Sequence, residues 1–250
     1  MRAVRLRLVG GLGNQLYQFG FALVLMKKLG YEKIAIDCTD MKNYRENWGF
    51  LIPTVLDKHR LDEFVIFEKS WFLKSRLIKI FSYFNLRLPG SYTDKYHSLD
   101  VSNFWEGDVF LDGYFEQKKQ LPYIKSELVP LLRTDLVTDI PANALVINVR
   151  GGEYIRLGVS SPADVNQYQD LIKAALSIIK DPVIHLVTDD VNYAKEVLEG
   201  ICAIDYIHEP NPQENFSVLI SSKYKVLSRS TFAKWAGFLS SDDSIIFQLQ

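Results

Sequence analysis

From residue 145 onward the chain alternates between short apolar runs and longer segments with a helical repeat. Residues 145–149, 183–187, 201–207, 225–228 and 244–248 have strand composition. Residues 165–179, 193–199, 214–222 and 230–239 have apolar positions at helical spacing. Strands separated by single helices cannot pair as hairpins. Each connection must cross over, which gives a parallel sheet covered on both faces by helices. The C-terminal half is therefore an α/β, doubly wound parallel sheet. Ligands of such sheets sit beyond the carboxyl ends of the strands, so the strand ends are where chemistry is expected.

The N-terminal half starts in the same way. Residues 4–9 read as a strand, and 15–29 as a helix with Leu16, Phe19, Leu23 and Met26 on one face and Gly30 as its cap. Residues 33–37 (KIAID) read as a second strand ending in Asp37. Then come an irregular stretch, 39–61, and the run 65–88. A strand-like segment follows at 109–115, and a helical one at 117–133 limited by Pro122 and Pro130. Residues 138–144 (TDIPANA) have linker composition, which places a boundary between domains 1–140 and 141–250.

With 250 residues, 48% of them hydrophobic, the chain can bury one large core or two smaller ones. Its 29 basic and 30 acidic residues balance, so bulk charge gives no argument for a nucleic-acid partner. Cys38 and Cys202 are far apart and read as free thiols in a reducing compartment. Arginines alternate through the N-terminus where a signal peptide would be apolar, and no apolar run is long enough to span a bilayer. The expectation is a soluble cytoplasmic protein.

Four strand ends carry unusual residues. The first is Gly10-Gly11-Leu12-Gly13-Asn14-Gln15. Gly11 and Gly13 let the backbone approach a ligand, the following helix offers N–H groups, and the amides of Asn14 and Gln15 can both donate and accept. A dinucleotide fingerprint with Asp37 as ribose acid fails because its third glycine is Leu16. A tight turn without ligand is the alternative. The second strand end is Arg150-Gly151-Gly152-Glu153-Tyr154. Its arginine can grip a phosphate with two N–H groups or sit in a surface ion pair. Glu153 can act as a base or be a solvated loop carboxylate, and Asn148, inside the strand, is expected to face a polar group. Thr188-Asp189-Asp190 ends the neighbouring strand; the acids can accept from a base edge or ribose, or cap a helix. The fourth is Ser228-Arg229-Ser230-Thr231-Phe232, where Ser230 and Thr231 open a helix and can seat a phosphate or merely cap. An arginine, a diacid and a hydroxyl-rich helix start suit a sugar nucleotide: diphosphate on the first and last, a guanine edge on the acids.

The blocks GGLGNQLYQFGFAL, DGYFEQKKQL, VINVRGGEY, VTDD and SRSTFAKWAGFL, in this order, resemble the bacterial α-1,2-fucosyltransferases, inverting enzymes of the O-antigen and blood-group-mimic type. The resemblance implies a GT-B-like fold, two Rossmann-like domains facing a cleft. The N-terminal domain would take the acceptor and the C-terminal domain the GDP-sugar. It also implies transfer of L-fucose from GDP-fucose to a galactose-containing glycan, possible lipid linkage of that acceptor, and no metal or other cofactor. The chain agrees in having no Asp-x-Asp pair. The implied donor-binding residues are Gly11, Gly13, Asn14, Gln15, Asn148, Arg150, Thr188, Asp189, Asp190, Ser230, Thr231 and Phe232. Arg150 would hold the diphosphate and Glu153 would act as base, with Asp37 and Asp112 as alternatives. The family block is usually His-x-Arg-Arg-Gly-Asp-Tyr; here Asn148 replaces the histidine, Gly151 the second arginine and Glu153 the aspartate. Fucosyl transfer in α-1,6 linkage or to protein, a non-catalytic GDP-sugar binder and an NAD-dependent oxidoreductase are the competing readings. Finally, 70–88 holds Lys74, Arg76, Lys79 and Arg87, no acids, and many Trp, Phe and Leu residues. It suits an interfacial helix on anionic lipid, or an amphipathic helix with an ordinary basic face.

Overall fold

The computed structural model describes residues 2–39, 41, 49–68, 72–83, 90–94, 107–158 and 162–249. The chain forms two units, Met1–Arg133 and Thr134–Gln250. The division thus falls ahead of the TDIPANA stretch.

In the first unit, β1 (Ala3–Arg7) passes through Gly10 and Gly11 into α1 (Leu12–Leu29), and β2 (Lys33–Asp37) follows. Residues Leu12 to Met26 of α1 are almost all buried, and Lys27 and Lys28 end it at solvent. Then come α2 (Lys58–Asp62), β3 (Val65–Phe67), α3 (Phe72–Tyr83), β4 (Ser91–Tyr92), β5 (Val109–Leu111) and α4 (Leu121–Leu128). The strands are parallel in the order β3-β2-β1-β5-β4. The helical reading of 117–133 resolves into α4 between two 3-10 turns, because Pro122 and Pro130 each sit in the first turn of a new element. A proline has no N–H to give an interior turn and fits where that donor has no intrahelical partner.

The second unit contains β6 (Ala144–Val149), α5 (Gly152–Arg156), α6 (Pro162–Leu176), β7 (Val183–Thr188), α7 (Val191–Leu198), β8 (Tyr206–His208), α8 (Pro212–Ser221), β9 (Tyr224–Leu227), α9 (Thr231–Leu239) and β10 (Ile245–Gln248). Its strands are parallel in the order β10-β9-β6-β7-β8. Every residue of β6 is buried. Leu145, Ile147 and Val149 of β6 share one core with Tyr168 and Ile172 of α6 and with Leu186 of β7. Side chains of this kind stabilise by about 1.5–3 kcal/mol each when fully buried. The eighth strand is shorter than the 201–207 run suggests. Ile201, Cys202 and Ile204 pack on the core, and the Asp205 carboxylate accepts from the Ile184 N–H at 2.7 Å.

The strand order has a functional consequence. β6 leads to β7 on one side, while β9 returns on the other, so the chain reverses direction between the carboxyl ends of β6 and β9. That junction opens a crevice in sheets of this type.

Lys225 of β9 is fully buried beneath the far end of α9. Its Nζ donates to Ser240 Oγ at 2.5 Å, and Ser240 is the C-cap residue of α9. Burial pushes the ammonium down to about 8 against the opposing pull of Asp243. The folded protein therefore holds its proton less tightly than the unfolded chain, and stability rises as pH climbs from about 8 towards the ordinary lysine range. Lys225→Met should be neutral or stabilising by about 1 kcal/mol at pH 7, because it removes a buried charge. Urea unfolding at pH 7 and pH 10 checks this, the margin between variant and wild type shrinking at the higher pH.

Candidate functional site

The turn after β1 is shaped by glutamines. Gly10 adopts φ +81°, and a Cβ there would lie 2.7 Å from Asn14 Nδ2. Gly11 is the N-cap of α1, with no side-chain cap, and Gly13 is buried in the first helical turn. Gln18 accepts from the Val9 N–H and donates to the Val9 carbonyl, both at 2.9 Å. Gln15 donates to the carbonyls of Gly10 and Gly49 and accepts from the Leu51 N–H, each at 2.9 Å. Gln15 is 0% exposed. Gln15, one of the expected donor contacts, thus uses both amide hydrogens and its carbonyl to tie residues 49–51 to the turn. Asn14 stays half-buried at the turn. Gln18 escaped the sequence reading, although a glutamine between Tyr17 and Phe19 on a buried face was its signal. The two alternative bases of this unit are engaged. Asp37 accepts from the Thr39 N–H at 2.8 Å, and Asp112 pairs with Arg7 at 2.7 Å.

The second unit brings most of the remaining candidates together. Asn148, near the end of β6, donates to the Val187 carbonyl at 3.2 Å and accepts from Ser228 Oγ at 2.7 Å. Ser228 Oγ in turn meets Ser230 Oγ at 2.8 Å. This buried polar chain spans the point where the sheet reverses. Ser230 is the N-cap of α9 and accepts from the Ala233 N–H at 3.1 Å. Thr231 and Phe232 form the first turn of α9, and the Phe232 ring meets Phe216 edge to face. Arg229, between the two serines, pairs with the buried Asp164 at 2.8 Å.

Beyond β6 the chain folds onto the diacid. Asp189 accepts from the Gly151 N–H at 2.9 Å with one oxygen and pairs with Arg150 Nη1 at 2.8 Å with the other. Asp190 accepts from the Gly152 N–H at 3.3 Å and caps α7 through the Tyr193 N–H at 3.1 Å. Thr188 Oγ1 exchanges bonds with the backbone of Asp190 and fixes this turn. The Arg150 guanidinium also lies 5.6 Å from the centre of the Tyr154 ring, and the Arg150 N–H reaches the Tyr168 hydroxyl at 3.4 Å. Burial pushes the Tyr168 hydroxyl well above the ordinary tyrosine range, so it stays protonated. Glu153 lies in the short helix α5, and its side chain falls outside the described residues. His185 and His208 pair with each other at 3.0 Å, and burial lowers both. The arrangement offers a guanidinium paired with Asp189 after β6 and, after the adjoining strand β9, hydroxyls at the start of a nine-residue helix. That is chemistry for an anionic ligand.

Two units, each a parallel sheet with crossover helices, define a GT-B-like α/β protein. Solved structures share this fold. Fucosyltransferase NodZ from Bradyrhizobium aligns over 96% of this chain and 93% of its own, with a TM-score of 0.57 and 14% identity. POFUT1 in complex with GDP-fucose aligns over 98% of this chain and 97% of its own, with a TM-score of 0.54 and 10% identity. The chain belongs to glycosyl transferase family 11, whose model matches residues 8–249. An alpha-1,2-colitosyltransferase of Escherichia coli is 23% identical, over 97% of this chain and 89% of the relative. The protein is thus a fucosyltransferase-like glycosyltransferase, and the oxidoreductase reading is set aside. No helix among the described residues is long and apolar enough to cross a membrane.

The family pattern places a second arginine where this chain has Gly151. There is no room for it here. A Cβ at 151 would lie 2.7 Å from Asp190 Cβ and 2.9 Å from Tyr193 Cδ1. Gly151→Arg should therefore lower stability by about 1–3 kcal/mol through overpacking, without improving donor affinity. Thermal unfolding and nucleotide titration of the variant check both halves; a variant as stable as wild type that binds GDP more tightly would refute the packing argument.

Proposed function

We propose that the protein is an inverting α-1,2-fucosyltransferase that moves L-fucose from GDP-β-L-fucose to the 2-hydroxyl of a galactoside, without a metal. Its setting is O-antigen or surface-polysaccharide synthesis in the cytoplasm. The observation that carries this reading is the Arg150 loop, clamped on Asp189–Asp190 beside the Asn148–Ser228–Ser230 chain, in a member of this family. The C-terminal unit is the donor side and the N-terminal unit the acceptor side. The α-1,2 linkage draws support from the colitosyltransferase relative, and the guanine nucleotide from structural neighbours crystallised with GDP or GDP-fucose.

In the proposed reaction the acceptor oxygen attacks the anomeric carbon as the bond to the β-phosphate oxygen breaks. GDP leaves with the bonding pair, and the acceptor proton passes to a carboxylate. Arg150, the N–H groups of the α9 first turn and the Ser230 and Thr231 hydroxyls would stabilise the leaving diphosphate. Glu153 is the proposed base. The described carboxylates Asp37 and Asp112 are each already bonded, to a backbone N–H and to Arg7 respectively. Removing the base should cost roughly 10²–10⁴ in rate.

A second reading concerns the sugar. The relative transfers colitose, which is L-fucose without its 3-hydroxyl, so GDP-colitose is the rival donor. Calorimetric titration with GDP, GDP-fucose, GDP-colitose, UDP-galactose and NAD, in chelator, tests the proposal. GDP and one GDP-deoxysugar should bind, and Arg150→Ala should weaken both by about 10–100-fold. Binding of NAD, or no binding of any guanine nucleotide, would overturn the reading. Rescue by divalent metal alone would overturn its metal-free part, and product linkage analysis on a galactoside decides the position of transfer.

A further inference from the structure

The outward face of α3 is apolar where a helix on a soluble domain is normally polar. Ile78 is 1% exposed, so the helix already packs one face inward. Leu77, Ile80 and Tyr83 are 47%, 51% and 84% exposed, and Arg76 is exposed among them. Positions 76, 80 and 83 follow the i, i+4, i+7 spacing of one helical face, 77 borders it, and 78 lies opposite. Single exposed apolar residues are ordinary, but two on one face of a helix and a third on its border make a patch that calls for a partner.

Charge selects the partner. Residues 70–88 carry Lys74, Arg76, Lys79 and Arg87 and no acid, in a chain whose formal net charge is −1. A second copy meeting this face through a two-fold axis would set the same positive segment against itself. An anionic phospholipid surface suits both properties together. Leu77 and Ile80 can enter the boundary of the acyl chains, Tyr83 can keep its hydroxyl at the headgroups, and Arg76 can meet phosphate. At 12 residues α3 is far too short to span a bilayer and must lie in the plane of the surface.

We propose that α3 docks the protein on an anionic phospholipid surface through Leu77, Ile80 and Tyr83, with Arg76 selecting the headgroup charge. The inference is independent of which sugar nucleotide the protein uses. It is tested by flotation of the full chain with phosphatidylcholine vesicles, with and without phosphatidylglycerol. Wild type should float with the anionic vesicles only, and less as salt is raised. Leu77→Ser/Ile80→Ser/Tyr83→Ser should weaken this by roughly tenfold or more, and Arg76→Glu should weaken it severalfold while leaving GDP affinity unchanged. Unfolding midpoints are measured for both variants; if the triple variant fails to fold, Arg76→Glu decides. No flotation with anionic vesicles overturns the proposal, and so does wild-type flotation of the folded triple variant, or of Arg76→Glu. Loss, in the triple variant, of a self-association seen by sedimentation velocity would assign the face to a second copy and overturn it equally.

Discussion

The Asp189–Asp190 pair is the constraint on which the strand-end site depends. Two adjacent carboxylates repel, and two consecutive glycine amides at the end of a buried strand need acceptors. Each problem answers the other. Asp189 accepts from Gly151 and Arg150, and Asp190 accepts from Gly152 and from the first turn of α7. The ends of β6 and β7 and the helices that start there are thereby held as one piece. The glycines follow from the same contact. A Cβ at Gly152 would lie 2.6 Å from Asp189 Oδ2, and one at Gly151 would strike Asp190. In this chain the loss of the second arginine and the close seat of the diacid are one structural fact.

The second unit was legible because its physics is repetitive. Its inner strands are apolar runs, β6 buried throughout and β7 and β9 nearly so, and helices must cover the sheet, so the pattern in the sequence mirrors the layers. In the first unit β1, α1, β2 and β5 were legible, but β3 and β4 were not. β3 and β4 are three and two residues long, too short for any periodicity to register, and the backbone of their neighbours supplies their pairing. The run 117–133 read as one helix because its apolar spacing continues across Pro130, whereas the hydrogen-bond ladder does not.

The site was legible as places rather than as partnerships. Arg150, the diacid and the Ser228–Ser230 segment stand out as polar groups at strand ends, but which side chain bonds which depends on strand order, and the sequence does not carry that. Gln15 shows the limit most clearly. An amide can serve a sugar hydroxyl or a loop peptide with the same donor and acceptor atoms. Only the position of residues 49–51, distant in sequence, decides that Gln15 serves the loop. Gln18 does the same for Val9 from within an otherwise apolar face.

Asn148 changes the balance of charge at the proposed donor site. Where the family pattern has a histidine, a neutral amide accepts the Ser228 hydroxyl and donates to Val187, with no proton to gain. The arginine that remains is itself met by Asp189. That ion pair lowers the net positive charge but restrains the guanidinium, so less freedom is lost when an anion binds. The rest of the attraction for a diphosphate must then come from oriented dipoles. α9 is built for that role at both ends: Ser230 caps its N-terminus beside the buried serine chain, while the Lys225 ammonium sits under its C-terminus, where the partial negative charge gathers. A buried lysine that looks costly as an isolated group is thus placed to favour the orientation of the helix whose other end the proposed chemistry uses.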